Sequence, residues 1–160
     1  MKNYFLKLYI YLTLIISLFL QIILTKSSNS NLHISWLLLI LIYWLLKYPY
    51  IINIITSFFI GLFVDLFTNN ILGVHSLLLS ILTYFLSSNY KLIINFNIIY
   101  KILFITCILY ILNVIIYYIN NIEFTYQNLF LQSIFNSFIW IIIYFFSKKI
   151  DYIFKYFLKI

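Results

Sequence analysis

Six apolar stretches separated by short polar breaks divide the chain, at about residues 8–25, 34–47, 50–68, 72–88, 99–119 and 129–147. A membrane-crossing helix needs about 20 mostly apolar residues. The pattern therefore predicts an all-α, polytopic integral membrane protein of six transmembrane helices in one membrane domain. The second stretch is short and must borrow flanking residues or thin the bilayer locally. The first exceeds the roughly 7–15 apolar residues of a signal-peptide core and no A-x-A site follows it, so it reads as an uncleaved span. After Lys148 and Lys149, residues 148–160 read as a basic amphipathic tail suited to an anionic leaflet.

Polar residues inside the stretches recur at helical spacing. Asn53, Ser57, Gly61 and Asp65 follow at intervals of four, so they line one face of the third helix. Across the turn at Thr68, Asn69 and Asn70, the residues Gly73, Ser76, Ser80, Thr83 and Ser87 recur at threes and fours, close to the 3.5 period of left-handed helix packing. Two small-residue seams joined by a short turn predict a tightly packed hairpin. Thr13, Ser17 and Gln21 give the first helix a similar stripe, as do Thr106, Tyr110, Asn113, Tyr117 and Asn120 in the fifth. In the sixth the stripe is Ser133, Asn136, Trp140, Tyr144 and Ser147.

Composition sharpens this picture. Of the 160 residues, 66% are hydrophobic and 8% charged, against about a quarter charged in soluble domains. The net charge of +7 comes from lysines that flank apolar runs, which suits topology and anionic headgroups and argues against nucleic-acid binding. With six spans starting inside, Lys2, Lys7, Lys47, Lys91, Lys101, Lys148, Lys149, Lys155 and Lys159 fall on the cytoplasmic side and only Lys26 outside. Both termini are then cytoplasmic, with Asp65 and Glu123 toward the outer face.

Asp65 is the residue around which the chain is organised. A carboxylate at membrane depth must face the protein interior or a helix end. In the last turn of its helix it opposes the helix dipole, so it needs a donor, from Thr68, Asn69 or a partner chain. Pro49 disfavours helix at Tyr48 and is placed to open the third helix near its first turn. Trp36 and Trp44 are expected as interfacial anchors. The single Cys107 excludes an internal disulfide and reads as space-filling. Neither His33 nor His75 has a carboxylate at ligand spacing, and no nucleophile elbow, zinc-protease or phosphate-loop motif occurs. Catalysis would rest on Asp65 and His75 alone. The expectation is a protein that is not an enzyme, with no cofactor and no metal.

The segment from Ile34 through Tyr90 resembles the bacterial rod shape-determining protein MreD family. The resemblance is carried by an aromatic-rich second span ending in Pro49, then Gly61-Leu62-Phe63-Val64-Asp65, then Leu72-Gly73, and Tyr84. It implies a multi-pass component of the bacterial inner membrane in the cell-elongation machinery. The implied partners are an MreC-like single-span protein, an MreB-like actin homologue, and a peptidoglycan glycosyltransferase and transpeptidase. Together with the small-residue seam, it marks Asp65, Gly61, Gly73, Ser57, Pro49 and Tyr84 as expected residues of structure or partner contact. The family in turn is similar to substrate-binding subunits of vitamin-importing energy-coupling-factor transporters, so a small-molecule carrier is the alternative. Those subunits often carry A-x-x-x-A on the first span; this chain has no alanine.

Overall fold

The structure, a computed structural model, describes residues 2–27, 35–68, 71–121 and 125–157. They form α1 (Lys2–Ser27), α2 (Trp36–Lys47), α3 (Ile54–Thr68), α4 (Val74–Ile94), α5 (Ile98–Ile119) and α6 (Tyr126–Phe157). His33, Asn69, Asn70 and Glu123 lie outside the described residues, as do positions 28–30 and 158–160. The protein is all-helical over the described residues. Four helices, α1, α4, α5 and α6, are long and apolar enough to cross a membrane. At 12 and 15 residues, α2 and α3 are about 18 and 22 Å long, short of a hydrocarbon core of about 30 Å.

The short helices owe their place to packing. A helix that is apolar all round belongs in an interior; α2 reads WLLLILIYWLLK, and nine of its twelve residues are buried. It touches α1, α4 and α6, while the closest helix pairs are α3 with α4 and α5 with α6. The four long helices are the reverse: they bury only 22% to 33% of their apolar windows inside the protein and turn Leu, Ile and Phe outward.

Irregular backbone at membrane depth is tolerated where protein encloses it. The α2–α3 connection shows how. Tyr48 leaves the helix at φ −135° and ψ 67°, the Tyr11 hydroxyl donates to the Ile51 carbonyl at 3.0 Å, and Ile52 is buried. Because α3 begins only at Ile54, Pro49 sits in this connection and does not open the helix. Asn53 stands just before α3; its N–H donates to Thr56 Oγ1 at 3.1 Å, and that hydroxyl donates back to the Asn53 carbonyl at 2.7 Å.

Four further expectations change. The connector placed at 89–100 is mostly helix, since α4 runs on to Ile94 and α5 starts at Ile98. The boundary placed at Lys148 is crossed by α6 without interruption as far as Phe157. Trp44, expected at the interface, is buried. Its indole N–H donates to Thr13 Oγ1 at 3.0 Å and its ring packs on Tyr9, Tyr43 and Tyr48. Trp36 is half-buried, and Cys107 faces outward from α5 and fills no interior space.

Candidate functional site

The site is the α3–α4 hairpin. Along α3 the buried residues are Ser57, Gly61, Val64 and Asp65, so three members of the small polar face point into the pair while Asn53 is exposed. The two helices meet at three levels. At the first, the Thr83 and Ser57 hydroxyls are hydrogen-bonded to each other at 2.7 Å, both residues being fully buried. At the second, Gly61 lies on the backbone of α4: a Cβ there would stand 2.5 Å from Ser76 Cα and 2.6 Å from its nitrogen. Only glycine allows that approach.

At the third level Asp65, 1% exposed, meets the start of α4. Its Oδ2 accepts the Gly73 N–H at 2.9 Å and the His75 N–H at 3.1 Å. Its Oδ1 lies 2.6 Å from His75 Nδ1, which therefore donates. A helix start leaves its first N–H groups without intrahelical partners and carries a partial positive charge. Asp65 answers both. The dipole of α3 opposes the carboxylate, but the orphan donors of α4 and the imidazole outweigh it, because bonds to an ionised acceptor are about twice as strong as neutral ones.

Thr68, one of the expected donors, instead donates its hydroxyl to the Val64 carbonyl at 2.7 Å. Asn69 lies outside the described residues. His75, which the sequence paired with Asp65 only for catalysis, is the donor that sequence reasoning did not expect. The signal was an acid in the last turn of one helix, followed across a glycine-containing turn by a histidine in the first turn of the next. Asn120 was likewise missed: ending α5, its Oδ1 accepts the Ile71 N–H at 2.9 Å and ties this turn to the α5 terminus.

Gly73 plays a different part from Gly61. Nothing lies within 4 Å of the Cβ it lacks; its φ of +101° is what requires glycine. The remaining motif residues are not brought to Asp65. Tyr84 is exposed in the middle of α4, and Pro49 lies beyond the opposite end of α3.

An imidazole oriented by a carboxylate is an arrangement that general-base chemistry uses. Here no serine, threonine or cysteine side chain hydrogen-bonds the ring, and no three potential ligands gather to hold a metal, among the described residues. The carboxylate's acceptors are used on the protein's own helix. These features define an all-helical membrane protein whose interior polar groups hold its helices together.

The family described as rod shape-determining protein MreD matches residues 1–150. The chain belongs to that family. It is 35% identical over 83 residues to the rod shape-determining protein MreD of Haemophilus influenzae, an alignment covering 52% of this chain and 51% of that protein. The chain thus spans about half the length of the curated relative it matches. No solved structure matches.

Proposed function

We propose that this chain is a non-enzymatic, multi-pass component of the bacterial inner membrane. It maintains rod shape by holding an MreC-like single-span protein, and through it an MreB-like filament and the peptidoglycan glycosyltransferase and transpeptidase, at one place. The observation that carries this reading is a family match that runs through residues 1–150 and therefore through every helix. The hairpin supports it: a buried acid with both oxygens engaged by the protein itself suits a rigid scaffold. The family match favours this reading over the carrier alternative.

In this reading the chain crosses six times, with α2 and α3 completing their spans through flanking backbone, and Asp65 acts through the fold rather than by touching a partner. Purification of the full chain in mild detergent is expected to recover an MreC-like protein, and its depletion to turn rods into spheres. Recovery of an ATPase pair, with shape unchanged on depletion, would overturn the scaffold. Asp65→Asn separates the roles of the acid. It removes charge-assisted bonds worth about 1.5–3 kcal/mol, so less folded chain accumulates while partner recovered per folded chain stays constant. A variant of normal thermal stability that recovers less partner makes Asp65 a contact residue instead.

A further inference from the structure

The α3–α4 hairpin presents a shorter apolar surface outward than α5 does. Its outward residues are Ile55, Phe59 and Phe63 on α3 with Leu77, Ile81 and Tyr84 on α4. One turn beyond the Ser57–Thr83 contact this surface ends on both helices at the same level, at Asn53 and at Ser87, Ser88 and Asn89. The serine hydroxyls donate to carbonyls of their own helix, so hydrocarbon would tolerate them. The asparagines are different. Asn53 is exposed, and its side-chain amide bonds nothing among the described residues. Asn89 donates to the Phe85 carbonyl at 2.9 Å, but its side-chain oxygen accepts nothing among them. Unpartnered polar groups belong in water or among headgroups, and asparagine is too short to reach them from the hydrocarbon as lysine does.

These residues mark a polar rim. From the start of α4 to this rim, Val74 to Ser87, the helix spans about 21 Å, and α3 beside it spans about 22 Å. The α5 face is longer: Ile99, Leu103, Cys107, Ile111 and Tyr118 point outward along its 22 residues, which span about 33 Å. Leu92, beyond the rim on α4, lies two turns from Phe85, whose ring stacks on Phe104 of α5, so it extends the α5 face. The two faces share one end. The Ile71 N–H donates to Asn120 Oδ1 and sets the α3–α4 turn level with the end of α5. Their difference in length therefore falls at the other end, where Lys47 and Lys91 stand.

A hydrocarbon core of about 30 Å exceeds the short face by about 8 Å. A flat bilayer would bury the two asparagines, whereas a bilayer meets a short apolar surface by thinning at modest cost. We infer that the lysine-side leaflet thins by about 8 Å beside α3 and α4. This face is then a docking surface for short-chain phospholipid, while α5 meets a bilayer of ordinary thickness. The two helices of the hairpin give the same length independently. The inference does not depend on the shape-determining role.

Spin labels on single cysteines, introduced into the full chain carrying Cys107→Ser and reconstituted alone in dioleoyl phosphatidylcholine, test it. Depth is read from collision with oxygen against collision with a water-soluble nickel chelate. Every labelled position is exposed, so the labels leave the packing intact. Along the helices, Ser88→Cys on α4 lies about 7 Å further from the lysine end than Ile99→Cys on α5. A thinned leaflet is expected to give these two labels the same depth, at headgroup level. At the shared end, Ile71→Cys and Tyr118→Cys are expected to agree within about 3 Å. A Ser88 label about 7 Å deeper than the Ile99 label would mean a flat bilayer and overturn the inference. Equal depths at Ser88 and Ile99 with the Ile71 label displaced out of the bilayer would mean a tilted chain and overturn it too. Chain preference is read by quenching of bimane with brominated phosphatidylcholines, at Phe59→Cys in the same background and at the native Cys107. The Phe59 position is expected to favour dimyristoleoyl over dierucoyl chains about threefold more than the Cys107 position does. Equal preference at both positions would remove the docking surface.

Discussion

Two glycines in one hairpin show how little residue type alone reveals. Gly61 is required by space, because any side chain would meet the Ser76 backbone, whereas Gly73 is required by its positive φ with open space around it. Substitutions separate the two causes. Gly61→Ala forces two backbones apart and is expected to cost at least about 1–3 kcal/mol, as overpacking does. Gly73→Ala meets no atom but strains a left-handed residue, for about 1–2 kcal/mol. Asparagine tolerates that conformation better than other residues, so Gly73→Asn is expected to regain part of the loss, while Gly61→Asn is expected to be worse than Gly61→Ala. Thermal unfolding in detergent, read as midpoint shifts, checks the order. A gain from asparagine at both positions would refute the distinction.

At the scale of the element, α2 shows why a helix too short for the bilayer is stable in it. Enclosed by α1, α4 and α6, it has little contact with lipid to match in length. Its stability then rests on packing, since lipid tails are as apolar as leucine and burial from lipid adds little by itself. Leu41, fully buried on α2, and Leu77, exposed on α4, are chemically identical probes of this argument. Leu41→Ala is expected to cost about 2 kcal/mol, mainly through the cavity it leaves. Leu77→Ala, facing outward, is expected to stay within about 0.5 kcal/mol. Equal shifts in the unfolding midpoint would mean that α2 is not the packed centre of the bundle.

Over the whole molecule, the two ends differ in charge and in chemistry. Asp65 and His75 lie at one end with the Ile71–Asn120 contact, and a cavity lined by Lys47, Lys101 and Lys148 lies at the other. Positive residues are retained on the cytoplasmic side, so the lysine end is expected inside. Reporters fused after Lys47 and Lys91 are expected to read cytoplasmic, and one fused after Asn69 periplasmic. A periplasmic signal after Lys91 would invert the orientation. The fusions after Lys47 and Asn69 also decide whether α3 completes a crossing.

Much of this architecture was legible in the residues because its causes are local. Hydropathy fixes how much chain must leave water, and a run such as Ile98–Ile119 is helical wherever it packs. Spacing by four put Ser57, Gly61 and Asp65 on one face, and their burial against α4 follows from that geometry. What the sequence could not decide depends on groups far apart along the chain. Trp44 has the composition of an interfacial anchor until Thr13, 31 residues earlier, takes its N–H. Asp65 calls for a donor in any fold, yet only the return of α4 puts the Gly73 and His75 N–H groups and the imidazole against it. Pro49 marks a break from sequence alone, but that the break is enclosed by Tyr11 rather than continued into α3 is a matter of packing. Lys47, Lys101 and Lys148 each read singly as topology signals. Their convergence on one cavity is a property of three helices at once, which periodicity within any one of them cannot encode.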